Sequence, residues 1–304
     1  MTITAPRTLA DFDGFLTPAE SAPIFDDAAR QSVVQRLTPR VPLGISGQKI
    51  PITTGKPVAN WVGEGGRKPT TQGSKALRHI EPKKLAAIVV NSAEVVRADP
   101  GGYVSSLRGD LAEAFAIAFD YAALYNLGGD GTGTGPFDNY VAETTKAVTF
   151  GDADQDEGGI HADVVSGLSL LVNDGRRLTG FAFDDVAEPT FLNAVDANGR
   201  PIYIDTPLDD TTRARNGRLI GRQSWMGEGI AHGGIVGFGG DWAKAAWGAV
   251  GGITYRVSTE GTVTIDDELV SLFEHNLVAI LAEAEYGWVM NDPEDFVRYE
   301  ADGS

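Results

Sequence analysis

The chain contains no cysteine among its 304 residues. This absence excludes disulfide bonds, thiolate metal sites and cysteine nucleophiles. The four histidines, at positions 79, 161, 232 and 275, are scattered without the spacing of metal ligands. No Gly-x-Ser-x-Gly segment is present either, so no nucleophile elbow is indicated. We therefore expect neither an enzyme nor a cofactor.

Long apolar runs are also missing. No segment approaches the ~20 consecutive apolar residues that a membrane-spanning helix needs, and the first residues lack the basic and apolar regions of a signal peptide. We expect a soluble protein made in the cytoplasm, with no membrane partner.

Positive charge is scarce overall, with a net charge of −17. Such a balance argues against tight, sequence-specific binding of nucleic acid, because that binding needs a concentrated basic face. Residues 1–46 carry four arginines against five acidic residues, so they are no basic tail. An acidic wall could still enclose nucleic acid without holding it.

The exception is residues 47–84, here called the basic excursion, which hold eight Lys or Arg and two acidic residues. We predict a strand over 49–54, a glycine-rich tip over 61–69 and a return strand over 75–80. The segment has too little apolar surface to fold alone. It should lie on an identical neighbouring chain, whose residues 257–304, with twelve acidic residues and one base, form the acidic C-terminal region.

Apolar residues at three- and four-residue spacing predict one long helix over 101–127, which ends at a glycine C-cap at Gly128. Its length makes it a structural spine. A second helix is predicted to stop at Gly175, residues 85–90 should form a buried strand, and 227–240 should join turns without forming a strand layer. The five prolines within 1–45 indicate an extended arm.

Several ordered sequence blocks resemble the major capsid proteins of tailed bacteriophages, whose fold family also contains the encapsulins. The blocks are 16–20 (LTPAE), 59–65 (ANWVGEG), 83–90 (KKLAAIVV), 111–115 (LAEAF), 129–133 (GDGTG), 272–276 (LFEHN) and 287–289 (GWV). Each block alone is weak, but their order and spacing together make an accidental match improbable.

The resemblance implies an α+β capsid fold with an extended β-hairpin loop, an antiparallel sheet and an inserted domain. It implies an N-terminal arm (1–45), the extended loop (46–90), a peripheral domain (91–150 with 253–304) and an axial domain (151–252). It also implies an icosahedral shell of hexamers and pentamers around double-stranded DNA, which is bound weakly and without sequence preference. A separate scaffolding protein, a portal and a decoration protein are further expected partners, and the virion capsid is the expected location.

Five residues of the basic excursion are the candidate intersubunit contacts: Lys56, Trp61, Glu64, Arg67 and Lys68. Aromatic residues and arginine are enriched at protein interfaces. Relatives can also join an excursion lysine to an asparagine, and Lys56, Lys68 or Lys75 with Asn291 would be the pair here. No apolar setting that would deprotonate a lysine is visible, so we expect no cross-link.

Three alternatives stay open at this point. Residues 128–135 resemble a phosphate-binding loop but lack its lysine and following helix, which favours a turn. Asp152, Asp154, Asp156 and Asp163 have calcium-loop spacing, but Glu157 stands where that loop requires glycine. An encapsulin-like compartment that stores cargo enzymes shares the fold, although its usual inward-facing N-terminal helix is not indicated here.

Overall fold

The computed structural model describes residues 32–55, 57–98, 103–153, 158–194, 203–205, 215–265 and 268–301. Two larger sheets and two separate hairpins make up the β structure. The helices are α1 (Val33–Leu37), α2 (Ala93–Ala98), α3 (Tyr103–Tyr125), α4 (Gly159–Asn173) and α5 (Glu188–Asn193). Four short 3-10 turns lie at Val141–Glu143, Asp185–Ala187, Trp242–Lys244 and Pro293–Asp295.

The first sheet has five strands, arranged around the 14-residue strand β15. Strand β4 pairs antiparallel with one edge of β15, while β11 and β12 pair in succession with its other edge. Strand β1 adds to β11 in parallel. The bounds are β1 (Arg40–Pro42), β4 (Lys83–Ser92), β11 (Ala245–Ala249), β12 (Thr254–Ser258) and β15 (Leu277–Met290).

Strand β4 contains the predicted strand at 85–90, but it is not buried on both faces. Its side chains alternate between partly buried and exposed, and Ile88 is 57 % exposed. Leu85, Ala87 and Val89 pack against the main core. The strand is an edge of the first sheet with one face turned to solvent, as is common in antiparallel sheets.

Helix α3 is the predicted spine, with 23 residues and a length of about 34 Å at ~1.5 Å per residue. Its apolar face packs on the inner face of the first sheet. The Phe119 ring lies 5.4 Å from the ring of Tyr286 and 6.2 Å from that of Trp288, measured between centroids. Edge-on aromatic packing of this kind adds to the stabilisation from burial.

The end of α3 differs from the prediction. The helix stops at Tyr125, and the residue in the left-handed conformation is Asn126 (φ 54°), not Gly128. Asparagine is the residue after glycine that most readily adopts this conformation at a helix end. The amide of Asn126 donates to the carbonyl of Ala122 (3.1 Å), which satisfies a free acceptor of the last turn.

The second sheet has seven strands in the order β5-β16-β10-β6-β9-β8-β7. Helices α4 and α5 cover one face, where Phe150, Phe183 and Tyr299 form part of a buried aromatic cluster. The bounds are β5 (Ala147–Phe150), β6 (Gly180–Phe183), β7 (Tyr203–Asp205), β8 (Arg215–Leu219), β9 (Arg222–Met226), β10 (Ile235–Gly240) and β16 (Phe296–Ala301).

The prediction that residues 227–240 only join turns is wrong for Ile235–Gly240, which form the interior strand β10 between β6 and β16. A Cβ atom on Gly237 would overlap the ring of Phe183, and one on Gly240 would overlap Phe296. These glycines therefore make room for aromatic rings of the core. Glycine in a strand can mark such a close approach.

Helix α4 ends as predicted, with Gly175 in the left-handed conformation (φ 71°). The amide of Arg176 donates to the carbonyl of Leu171 (2.8 Å), and that of Gly175 donates to Val172 (2.9 Å). This pair of hydrogen bonds is the Schellman arrangement, which satisfies the last free carbonyls of a helix.

Strand pairing connects regions that are distant in the sequence. Within segment 151–252, strand β11 pairs with β15 in the first sheet, whereas β10 pairs with β16 in the second sheet. The segment is thus tied to strands outside it in both sheets. The division of the chain into four regions stays a prediction.

Candidate assembly surface

The basic excursion folds as a β-hairpin made of β2 (Gln48–Gly55) and β3 (Ser74–Ile80). The two strands pair from Gln48 opposite Ile80 to Gly55 opposite Ser74, with a bulge between Thr53 and Gly55. Both predicted strands are therefore confirmed. A bulge increases the local twist of a hairpin, so it changes the direction in which the outer end projects.

The root of this hairpin is tied to the rest of the subunit. Ile80 is fully buried in a small cluster with Leu43 and Val289. The guanidinium of Arg78 donates to the backbone carbonyl of Asn291 (3.0 Å). These contacts lie at one end of the hairpin and hold its root against the rest of the subunit.

The tip of the hairpin, residues 57–73, is exposed along its whole length. The amide of Gly66 donates to the carbonyl of Gly63 (2.9 Å), and Gly65 between them has a φ of 76°. That geometry is a type II turn, which requires a residue such as glycine at its third position. The amide of Val58 donates to Thr71 Oγ1 (2.9 Å) and holds the two arms of the tip together.

Four of the five candidate contact residues lie on this tip. Trp61 is 104 % exposed, and Glu64, Arg67 and Lys68 are exposed as well. Lys56 lies outside the described residues. Within the part of the chain that the structure describes, no carboxylate forms an ion pair with Arg67 or Lys68. The tip thus presents an aromatic ring and two cations to its surroundings.

Much of the acidic C-terminal region is already neutralised within the subunit. Arg176 contacts Asp292 (2.8 Å) and Asp295 (2.7 Å), and Lys146 contacts Glu294 (2.7 Å). Further pairs join Lys84 to Glu283 and Arg298 to Glu300. These acidic residues hold the subunit together, so they are weaker candidates for receiving a neighbour's cations.

The ionic network around Arg176 shifts several ionisations. Partial burial opposes ionisation of Asp292, but the hydrogen bonds from Arg176 and from the Glu294 amide, together with the attraction of Arg176 and Lys146, outweigh it and lower the pKa of this carboxyl. Burial also opposes ionisation of Glu294, but the hydrogen bonds from Lys146 and Thr145 and the attraction of Lys146 together outweigh it and lower the pKa of this carboxyl. The network joins the start of β5, the end of α4 and the turn between β15 and β16, where it braces the second sheet.

The acidic residues without an ion pair among the described residues include Glu260, Glu268 and Glu274. They lie on or beside a two-stranded hairpin of β13 (Thr262–Ile265) and β14 (Glu268–Ser271). Leu269 is 79 % exposed on this hairpin, and Phe273 just after it is 77 % exposed. Exposed apolar side chains beside unpaired carboxylates suit contact with an aromatic and basic tip.

Sequence reasoning did not single out Leu269 and Phe273. The signal present is the pair of adjacent apolar residues in the turn after β14, of which Leu272 is 1 % exposed and Phe273 is 77 % exposed. The sequence alone does not tell which of the two is buried.

The glycine-rich segment at 128–135 closes on itself, in agreement with the turn interpretation. The amide of Gly128 donates to the carbonyl of Thr132 (2.9 Å), and that of Thr132 donates to Asp130 Oδ1 (3.0 Å). The amide of Gly135 reaches back to Asn126 (2.6 Å). These amides are occupied by the turn itself, so they are not arranged as a phosphate cradle.

Asp163, the last residue of the possible calcium loop, lies in α4 and is 3 % exposed. It accepts hydrogen bonds from the amides of Gly151 (2.8 Å) and Ala153 (3.2 Å). Asp154 and Asp156 lie outside the described residues. Over the described ranges, no group of three or more His, Cys, Asp or Glu side chains is placed to hold a metal ion. The calcium alternative, which needs the undescribed residues, stays open.

The absence of lysine–asparagine cross-links also stays a prediction. The side-chain amide of Asn291 donates to Asp295 (3.3 Å). Lys68 and Lys75 are exposed on the hairpin. Among the described helices, none is long and apolar enough to cross a membrane.

Comparison with known proteins identifies the class to which this fold and surface belong. The model of the phage capsid family matches residues 13–301. The solved structure titled "Gordonia phage Cozz" superposes with a TM-score of 0.68 at 22 % identity, covering 90 % of this chain and 87 % of that chain. At this level of identity the match shows the fold alone.

Relatives with similar sequences point to the same class of protein. The "Probable major capsid protein gp17" of Mycobacterium phage D29 is 40 % identical over 291 residues, which are 94 % of this chain and 90 % of the relative. The protein of the same description from Mycobacterium phage L5 is 40 % identical over 299 residues, 94 % of this chain and 89 % of the relative.

The chain therefore belongs to the phage capsid family. The sequence-based prediction of a major capsid protein, a structural subunit of the virion shell, is confirmed. This family is structural, so the expectation of a non-enzymatic protein is confirmed as well.

Proposed function

We propose that this capsid protein builds an icosahedral shell of hexamers and pentamers around double-stranded DNA, and that the tip of the β2–β3 hairpin lies across a neighbouring copy. One observation carries this proposal. Every residue of the tip is exposed, and the tip carries Trp61, which is 104 % exposed. An exposed aromatic ring stabilises nothing within its own subunit until a second chain covers it.

Charge supports the same arrangement. Arg67 and Lys68 are cations on a subunit whose net charge is −17, so neighbouring copies repel each other elsewhere. A basic tip on an acidic neighbour reverses this repulsion locally and orients the two chains. The exposed carboxylates of Glu268 and Glu274, with the Phe273 ring beside them, are the receiving surface that we favour.

Contact of the shell with its genome should be weak. The cations available for phosphate groups are few, and affinity for DNA grows with the number of such contacts. We propose that the closed shell retains the DNA and that adhesion does not. We also propose that assembly takes place in the host cytoplasm with a separate scaffolding protein, a portal and a decoration protein. The same proposal divides the chain into an arm, an extended loop, a peripheral domain and an axial domain.

The contents of purified shells test this function. Shells produced during infection should contain double-stranded DNA that nuclease reaches only after the shell is opened. A constant protein cargo in place of DNA would instead support the compartment alternative. Finding the protein only as a stable monomer, under conditions in which the relatives form shells, would contradict both.

A further inference from the structure

The spine helix carries a buried carboxylate that the assembly surface does not use. Asp120 of α3 is 2 % exposed, within a helix face that is otherwise apolar. It points at the arm root, defined here as residues 32–38, which contains α1. Buried carboxylates are rare unless they are paired or hydrogen-bonded. The position therefore needs an explanation in terms of what Asp120 binds.

Asp120 binds the first residues of the arm root through both of its oxygens. Oδ1 accepts from the Ser32 hydroxyl (2.6 Å) and from the Val34 amide (3.2 Å), and Oδ2 accepts from the Val33 amide (2.9 Å). Ser32 in turn accepts the amide of Gln35 through its hydroxyl (3.0 Å) and that of Arg36 through its carbonyl (3.3 Å).

The bonds to Asp120 and to the Ser32 hydroxyl satisfy the amides of Val33, Val34 and Gln35, which lie at the start of α1 and have no acceptor within the helix. Helix α1 has only five residues, far fewer than an isolated helix needs for stability in water. Its shape is therefore imposed by what it contacts. Burial of Val33 and Val34 in the main core holds α1 against the subunit, whereas the directional hydrogen bonds to Asp120 fix the orientation of α1.

The arm root is held on its far side as well. The Trp247 indole donates to the carbonyl of Gln35 (3.1 Å), and the Arg36 guanidinium lies 4.4 Å from the centre of the Trp225 ring. Trp247 belongs to the first sheet and Trp225 to the second. The arm root is thus clamped between the spine helix and both sheets.

We propose that Asp120 is a latch that fixes the arm root on the spine helix, so that the start of α1 keeps its place only while this side chain accepts its three hydrogen bonds. Because Asp120 binds Ser32, Val33 and Val34, release of this one side chain frees the first residues of the arm root. The chain that follows the root stays in place through the pairing of β1 with β11.

Two opposing effects act on the ionisation of Asp120. Burial raises the pKa of Asp120 to about 7, against the hydrogen bonds from Ser32, Val33 and Val34 and the attraction of Arg36, all of which favour the ionised form. The ionised form of this buried carboxyl therefore depends on its hydrogen-bond donors.

Hydrogen exchange of intact shells tests the latch, because the Val33 and Val34 amides donate directly to Asp120. In Asp120→Asn, one accepting oxygen becomes an NH2 group that faces donors. Exchange of the peptide covering 32–38 should then rise by about tenfold to a hundredfold at constant pH. Asp184→Asn is the matched control, since Asp184 is also buried and accepts the amides of Ile230 (3.0 Å) and Ala231 (2.8 Å).

The control should raise exchange around Ile230 and leave 32–38 unchanged. Unchanged exchange of 32–38 in Asp120→Asn would overturn the proposal, and so would an equal rise across all peptides. If Asp120→Asn yields no shells, Ser32→Ala provides the test, because it removes one of the three bonds to Asp120 together with the hydroxyl acceptor of Gln35. It should raise exchange several-fold, confined to 32–38, and no rise would likewise overturn the latch.

Discussion

Replacing Trp61 with alanine should weaken assembly of the shell while leaving the folded subunit as stable as before. Trp61 is 104 % exposed, so the substitution removes no contact within the subunit. Surface substitutions of this kind change the free energy of unfolding by no more than about 0.5 kcal/mol. Covering an indole buries about 150–250 Å², or up to about 4–6 kcal/mol at ~25 cal/mol per Å².

The measurable loss is smaller, because alanine keeps part of the contact and the free tip regains conformational freedom. We expect each intersubunit contact to lose about 2–4 kcal/mol, the range of interface hot spots. A loss of that size weakens each contact about 30-fold to 1,000-fold. The effect is repeated at every copy of the contact, so closed shells should become rare at the concentration at which wild type forms them.

Sedimentation of the assembled material and electron microscopy measure the yield of shells, while thermal unfolding of the unassembled protein measures subunit stability. Leu77→Ala is the matched control, because Leu77 is 65 % exposed on the same hairpin but lies on strand β3, outside the tip. Trp61→Phe should keep most of the yield. Normal yields for Trp61→Ala, or a large fall in its unfolding temperature, would refute the reasoning.

Three further predictions concern charge. Replacing Arg67 and Lys68 together by alanine should slow shell formation at low salt more than the same change at Lys49 and Lys75, because only the first pair lies on the tip; equal rates in a light-scattering assay would contradict this. Arg176 helps to lower the pKa of the Asp292 carboxyl, so the stabilising contribution of that carboxyl is present above its ordinary pKa and is lost as the pH falls through the lowered value. Arg176→Met should therefore flatten the acid side of the curve of unfolding temperature against pH, and an unchanged curve would show that the network does not stabilise the fold. Free subunits should bind no random duplex DNA at physiological salt, and sub-micromolar binding in a gel-shift experiment would show that the charge distribution has been misread.

Periodicity in the sequence was enough to locate the elements with a strong repeating pattern. Helix α3 follows from apolar residues at three- and four-residue spacing, and the β2–β3 hairpin follows from two short strands around a glycine-rich tip. Both are local patterns. The end of α3 at Asn126 was missed because the glycines that follow it offered a more usual cap.

Features that depend on contacts between distant residues could not be predicted. The glycines of β10 indicate turns until the rings of Phe183 and Phe296 are placed against them. Asp120 is one polar residue on an apolar helix, and its partners lie 86 to 88 positions earlier in the chain. The candidate contact residues of the tip were chosen by composition, and the structure adds that each of them is exposed.

The distribution of ion pairs bears on how salt should act on assembly. Salt screens the repulsion between subunits that each carry a net charge of −17, which favours assembly, but it also screens the attraction of the basic tip, which opposes assembly. The two effects have opposite signs, so the salt dependence of wild type alone reveals neither. Because the Arg67 and Lys68 substitutions remove the tip attraction while slightly increasing the repulsion, the difference between variant and wild type should be largest at low salt and shrink as salt is added. A difference that stays constant over the whole range of salt would mean that these side chains act through packing and not through their charge.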